Sequence, residues 1–167
     1  METNKTKTPN TRGIRNNNPG NIRKGCKWKG LKFYQKDPCF CQFIAMRWGV
    51  RAMLVTLRTY VTKYKLKTIP RIINRWAPPE DNNNTLAYVK KVARDVGEYL
   101  ESQKVGQSYE AEFAQAGYNY EFTADDFKIK DGMLVSMPLY HMVRSMCKIE
   151  SQYDLTLELF EETLSLM

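Results

Sequence analysis

Two adjacent acids, Glu80 and Asp81, have the clearest potential for chemistry, because they lie where the charge of the chain changes sign. Residues 1–76 contain 18 Lys and Arg against 2 acids, a net charge of +16, whereas residues 77–167 contain 8 against 16, a net charge of −8. Within the basic part, Asp37 precedes a proline and is typical of a turn. General acid–base chemistry by a carboxyl group therefore points first to Glu80 and Asp81. The same two acids would also favour the N-terminus of a following helix, so capping is the alternative.

Three predicted helices surround this acidic pair. Apolar residues recur at helical spacing after Gly49, again after Thr68, and again after residues 82–84. Thr68 is a predicted N-cap, and the asparagines at 82–84 offer a polar cap for the third helix. The apolar positions are Val50, Met53, Leu54, Leu57, Tyr60, Val61 and Tyr64, then Ile72, Ile73 and Trp76, then Leu86, Val89, Ala93, Val96 and Leu100. Pro78-Pro79 must end the second helix.

The remaining segments predict one β element and further helices. The alternation of Phe40 and Gln42 with their neighbours predicts a small hairpin within residues 26–43. After Gln103 the helical pattern weakens. Thr123 and Asp126 then have the spacing of a capping box, and two amphipathic helices are expected, after Ser136 and after Asp154. We predict a mainly α fold with one small hairpin near the N-terminus.

The basic part of the chain also carries a dense, ordered set of motifs. These are R-G-I-R-N-N-N-P-G-N-I-R at 12–23, W-K-G at 28–30, Phe40 and Phe43, G-V-R-A at 49–52, Thr68-Ile69, and I-I-N-R-W-A-P-P at 72–79. Over about residues 12–96 the chain resembles lytic virion proteins of bacteriophages and prophages, a family similar to the lytic structural protein of an enveloped double-stranded-RNA phage. The resemblance implies the lysozyme or lytic-transglycosylase fold. It also implies cleavage of peptidoglycan glycan strands by one acidic residue acting as acid and base, without a cofactor.

Two shorter likenesses agree with this family. The Asn-rich segment with W-K-G resembles bacterial glucosaminidases, and the run P-P-E-D-N-N-N-T-L-A-Y-V at 78–89 resembles the end of transglycosylase catalytic domains. The family pattern has one variable residue between Pro-Pro and Glu-Asn, and Thr follows shortly after. In this chain the segment between Pro79 and Thr85 is one residue longer than in the family pattern. Either Glu80 or Asp81 can therefore occupy the position of the family glutamate.

With this resemblance, residues 12–103 are expected to form a lysozyme-like core. Residues 1–11 would be a disordered basic arm, and residues 104–167 a helical extension packed on the same domain. The expected substrate-binding residues offer amides for N-acetyl groups, cations for peptide carboxylates, or aromatic walls. They are Asn16, Asn17, Asn18, Asn21, Trp28, Arg51, Arg75, Trp76, Asn82, Thr85 and Tyr88. Each group also has a structural alternative, namely Asx-turns, a solvated basic face and core packing.

The cysteines do not predict a metal site. Cys26, Cys39 and Cys41 cluster, but the C-x-C spacing is tight and the single histidine, His141, is distant and lies on an apolar helix. Reduced thiols are expected, with a bridge from Cys26 to Cys39 or Cys41 as the alternative.

Charge and hydropathy limit the classes of partner that the chain can have. A cationic segment favours an anionic polymer, and bacterial peptidoglycan is the expected one, with other virion proteins or a secretion apparatus as further candidates. The sequence contains neither an apolar signal core nor a membrane-span pattern, so we expect synthesis in the cytoplasm. Action on the wall would follow lysis, infection by a virion or contact-dependent secretion. The alternatives are an inactive virion or wall-binding protein of the same fold and a basic nucleic-acid-binding protein, for which no recognition motif is present.

Overall fold

The computed structural model describes the backbone of residues 7–104 and 110–167, and it shows a mainly helical chain with one small antiparallel sheet. The helices are α1 (Arg12–Arg15), α2 (Met46–Thr62), α3 (Ile69–Trp76), α4 (Thr85–Ser102), α5 (Glu110–Asn119), α6 (Met137–Ser151) and α7 (Leu157–Ser165). Two 3-10 turns lie at Pro79–Asp81 and Ala124–Phe127, and the strands are β1 (Ile129–Lys130) and β2 (Met133–Leu134). The mainly α prediction is confirmed.

The three predicted helices near the acidic pair are confirmed. Helix α2 begins at Met46, three residues before Gly49, and buries most of the apolar face that the periodicity indicates. Two predicted apolar positions are exposed instead: Tyr64, which lies beyond the end of α2, and Leu86 in α4. Helix α3 follows Thr68, whose side chain makes no cap hydrogen bond, and it has Pro70 in its first turn. The third helix, α4, has a polar cap as expected: Asn84 Oδ1 accepts from the backbone N–H of Ala87 at 3.2 Å.

One apolar core joins the N-terminal and C-terminal parts of the described chain. Residues from α2, α3, α4, α6 and α7 contribute to it, including the fully buried Leu54, Ile72, Val92, Met142 and Phe160. Burial of apolar surface from both parts is the main stabilising contribution to such a fold. Both C-terminal segments predicted to be helical therefore pack on the same core as α2.

Helix α5 packs closely against α4, and this contact explains why the sequence predicted no individual helix there. A Cβ at Gly97 in α4 would lie 1.5 Å from the carbonyl oxygen of Phe113, and a Cβ at Gly117 in α5 would lie 1.9 Å from that of Ala93. The two helix backbones touch at these glycines. Glycine weakens the helical pattern of the sequence, but because it has no Cβ it also permits this close packing.

The β element is not where the sequence predicted it. Residues 26–43 form no hairpin ladder; this segment takes part in two isolated antiparallel bridges, Arg23 with Phe40 and Leu31 with Phe43. A small separate cluster of Cys41, Phe43 and Ala52, bordered by Trp28, holds these loops instead of a regular sheet. The two-stranded sheet pairs β1 with β2, in the later part of the chain.

Other features of the structure bear on the remaining predictions. The capping box at Thr123 is confirmed, with Asp126 Oδ2 accepting from the Thr123 N–H at 2.6 Å. Of the predicted arm, residues 1–6 lie outside the described part of the chain. The last residue of that arm, Thr11, caps α1, and its hydroxyl donates to the backbone carbonyl of Ser151 at 2.6 Å. All four cysteines are free, two of them exposed. No helix in the described parts of the chain has the length and apolarity needed to cross a membrane.

Candidate functional site

A groove with a volume of about 370 Å³ separates the Asn-rich loop from the end of α3. The loop contributes Asn21 and Arg23, and the opposite wall comes from Trp76 and the segment that follows it. The groove exists because Pro78-Pro79 ends α3 and turns the chain away, while α1 holds the Asn-rich loop against the end of α6. This is the place where the two oppositely charged parts of the chain meet.

Glu150, near the end of α6, lies in this groove and is half-buried. Its Oε1 accepts from the indole Nε1 of Trp76 at 3.2 Å, and its Oε2 accepts from Asn21 Nδ2 at 3.2 Å. Asn21 Nδ2 also donates to the backbone carbonyl of Glu150 at 3.0 Å. Because both carboxylate oxygens are held by N–H donors from different segments, the side chain is fixed in one orientation.

A second depression of about 450 Å³ continues from the same carboxylate. Glu150 and Asn83 line both depressions, and Tyr88 and Lys91 line the second. The hydroxyl of Tyr88 is buried and lies beside the Glu150 carboxylate and the Trp76 indole. Burial, reinforced by the negative charge of Glu150, raises the pKa of Tyr88 well above its usual value, so the hydroxyl keeps its proton. The two depressions form a bipartite groove with Glu150 at their junction.

The predicted acids occupy different positions relative to this bipartite groove. Asp81, in the 3-10 turn Pro79–Asp81, lines the first depression with an exposed side chain. Glu80 is also exposed but lines neither depression. Asn82 follows in the left-handed conformation, with φ +61°, and turns the chain into α4. Of the adjacent pair, only Asp81 faces the groove.

Three of the four predicted asparagines stabilise the loop itself. Asn16 Nδ2 donates to Asp37 Oδ2 at 2.9 Å, Asn17 Nδ2 donates to the carbonyl of Phe43 at 3.0 Å, and Asn18 binds backbone groups of Ile22 and Cys41. Their amides are satisfied internally and do not line the groove. Asn21 differs, because its Oδ1 is buried without a partner in the described chain. That oxygen is closed to solvent, so Asn21 acts in the groove through the amide N–H that holds Glu150.

Asp37 is the anchor of the same loop. Both its oxygens bind the guanidinium of Arg12 at 2.6 Å, and Oδ1 also accepts from the backbone N–H groups of Cys39 and Phe40. The Arg12 guanidinium holds the pKa of Asp37 far below its usual range, assisted by the backbone donors. The prediction of a turn acid describes Asp37 well, since its contacts are all structural.

The other predicted residues divide between the groove and the scaffold. Trp76 and Arg75 line the first depression, and Asn82 and Tyr88 line the second. Trp28 instead borders the small Cys41 cluster. Arg51 donates to the carbonyl of Leu166 at 3.2 Å, and the hydroxyl of Thr85 donates to that of Ala77 at 2.6 Å. Trp28, Arg51 and Thr85 therefore lie outside the groove and support the fold.

Sequence reasoning missed Glu150, Asn83 and Tyr60 as groove residues. A signal for Glu150 is present in the chain: it continues the apolar stripe Leu139, Met142, Val143 and Met146 at the next helical step. A carboxyl at an apolar position of an amphipathic helix indicates either a buried partner or a site. Its partners, however, lie 129 and 74 residues away, so only the folded chain identifies them.

A comparison with protein-family models finds no match. Among curated proteins, the chain is 44% identical over 90 residues to a protein named Protein P5 of Pseudoalteromonas phage PM2. The aligned part covers 52% of this chain and 56% of that protein, so the chain spans about half the length of the relative it matches. This chain thus has a homologue among the proteins of a bacteriophage.

Proposed function

We propose that this chain is a phage- or prophage-derived enzyme that cleaves the glycan strands of bacterial peptidoglycan, with a lysozyme-like or lytic-transglycosylase-like fold. The bipartite groove binds the strand. One observation supports this most strongly: a half-buried carboxylate, Glu150, lies at the junction of two depressions and is oriented by an indole and an amide.

The lining of the groove suits a glycan. Asn82 and Asn83 line the second depression with exposed side chains, and their amides offer donors and acceptors to sugar hydroxyl or N-acetyl groups. Trp76 and Tyr60 supply apolar surface in the first depression. Depressions of about 370 and 450 Å³ each fall in the size range of small-ligand sites and together extend to both sides of Glu150. A polymer cleaved at Glu150 needs such binding on both sides.

The proposed chemistry uses Glu150 as the general acid. In this scheme the Glu150 carboxyl gives a proton to the glycosidic oxygen, the bond from C1 to that oxygen breaks, and the leaving sugar departs as an alcohol. The resulting carboxylate then takes the proton of the attacking hydroxyl, which belongs to water or to the substrate itself. Asp81 is the second carboxyl in the groove and the candidate that remains from the sequence-based pair. Glu80 has no place in this scheme because it does not line the groove.

An inactive wall-binding or virion protein is the second candidate. It is favoured by the exposure of both Glu80 and Asp81, and by the two N–H donors that already occupy the Glu150 carboxylate. The first depression offers a nucleic-acid partner no net positive charge, because Asp81 and Glu150 there balance Arg23 and Arg75. The charge of residues 1–76 remains suited to attraction towards an anionic wall after delivery.

Release of soluble muropeptides from purified peptidoglycan tests the proposal. We expect Glu150→Gln to lower the rate by at least about 100-fold, since general acid catalysis typically contributes that much. Glu80→Gln is the matched control and should retain the wild-type rate. Pelleting with insoluble wall measures binding separately. Wild-type protein that pellets with wall but releases nothing would identify the binding protein, and full activity of Glu150→Gln would refute the assignment of the acid.

A further inference from the structure

Two adjacent aromatic side chains are almost fully exposed on the loop that follows the Asn-rich segment. Phe33 is 91% exposed and Tyr34 is 77% exposed, and their ring centroids lie 4.9 Å apart. Isolated exposed apolar residues are common, but two large neighbouring rings in water are costly and indicate a binding surface. They lie outside the bipartite groove.

The loop presents these rings on a fixed backbone. Gln35 and Gln42 bind each other reciprocally, with Gln42 N–H donating to Gln35 Oε1 at 2.7 Å and Gln35 Nε2 donating to the Gln42 carbonyl at 2.8 Å. The Gln42 side chain also accepts from the Lys36 N–H at 2.6 Å, and the Gln42 carbonyl accepts from the Lys32 N–H at 2.9 Å. Phe33 and Tyr34 are therefore held outward by bonds on both sides of them.

The charges of the same loop have one sign. Residues 23–36 contain six cations and no acid, and all six are exposed. They are Arg23, Lys24, Lys27, Lys29, Lys32 and Lys36. Lysines around exposed aromatic rings match a surface that offers anionic groups above an apolar layer, because the rings enter the layer while the ammonium groups stay with the anions.

The ring geometry selects among anionic partners. The planes of Phe33 and Tyr34 meet at 85°. Two perpendicular neighbouring rings cannot both stack flat on one run of bases or sugars, as a single-strand or glycan platform requires. Insertion into the boundary of headgroups and acyl chains has no such requirement. A tyrosine inserted to this boundary keeps its hydroxyl among the hydrated headgroups.

We propose that Phe33, Tyr34 and the exposed cations of residues 23–36, here called the aromatic–lysine loop, bind the surface of an anionic lipid bilayer. The loop supplies apolar insertion through the two rings and electrostatic attraction through the cations. This binding is independent of the groove chemistry.

Co-sedimentation of the full chain with vesicles tests the proposal. Wild-type protein should bind vesicles of equal phosphatidylglycerol and phosphatidylcholine, and bind pure phosphatidylcholine vesicles much more weakly. Phe33→Ala with Tyr34→Ala should weaken binding to the anionic vesicles by about tenfold or more. Each of Lys27→Gln, Lys29→Gln and Lys32→Gln should weaken it by about fivefold at low salt.

A matched control replaces two exposed apolar residues elsewhere. Leu86 and Met133 are each 71% exposed, and Leu86→Ala with Met133→Ala should leave vesicle binding unchanged. Tyr34→Trp should keep binding and show quenching by brominated anionic lipids, which reports insertion. Wild-type protein that ignores anionic vesicles, or an aromatic double variant that binds them as well as wild type, would refute the proposal. So would aromatic-dependent binding of double-stranded DNA or of wall in place of vesicles.

Discussion

The indole Nε1 of Trp76 donates to Glu150 Oε1 across 3.2 Å and thereby joins the last residue of α3 to the penultimate residue of α6. Each helix end is fixed by its own sequence: Pro78 follows α3, and Gln152, with φ +54°, terminates α6. The bond therefore depends on how the two helix ends pack. It connects the basic part of the chain, which supplies the tryptophan, to the acidic part, which supplies the carboxylate.

Trp76→Phe should lower glycan-cleaving activity without unfolding the protein. The substitution keeps an aromatic wall in the groove but removes the donor to Glu150 Oε1, so the carboxyl loses part of its orientation. We expect kcat/KM on peptidoglycan to fall by about tenfold, the equivalent of one hydrogen bond to a charged group. Trp28→Phe is the control, because Trp28 lines neither depression. Equal losses for the two variants would show that Trp76 acts only through packing.

Asn21→Asp should destabilise the protein at neutral pH. Asn21 has φ +49°, which Asp tolerates nearly as well as Asn, so the backbone is little strained. The new carboxylate would face Glu150 within hydrogen-bond distance and replace a donor by a like charge. We expect a loss of about 1–3 kcal/mol in the free energy of unfolding at pH 7. Urea titrations of the variant and of wild type at pH 7 measure it, and an unchanged midpoint would contradict the contact between Asn21 and Glu150.

The outcome for the four asparagines explains how far the sequence can predict this site. Asx chemistry and spacing identify an ordered loop, and that loop is present, but its residue types do not say which amide points inward. Asn18 and Asn21 look alike in the chain; one closes on Cys41, and the other reaches Glu150, which lies 129 residues away. Helices α2, α3 and α4 follow from local periodicity and caps. The groove depends on long-range packing, so its acid at Glu150 could not be paired with its partners in advance.

The fold should lose stability in acid through Asp37. Its folded pKa lies below the value of about 3.9 for an unfolded Asp, so its ion pair with Arg12 stabilises the fold above that value. This contribution is lost as pH falls from there towards the folded pKa. Asp37→Asn should therefore be less stable than wild type at pH 7, and the difference should diminish below about pH 4. Urea titrations of both proteins at pH 7, 5 and 3 provide the measurement. A difference independent of pH would mean that the charge of Asp37 contributes nothing.

Gly97→Ala should separate α4 from α5. The added Cβ would lie 1.5 Å from the Phe113 carbonyl oxygen, a distance that only movement of the backbone can relieve. Overpacking of this kind costs about 1–3 kcal/mol, so a clear fall in the denaturant midpoint is expected. Gly132→Asn is the comparison, because a Cβ there meets nothing within 4 Å and Asn tolerates the φ of +72°. An unchanged midpoint for Gly97→Ala would contradict the close packing of α5, and with it the account of why the sequence pattern weakens at Gly117.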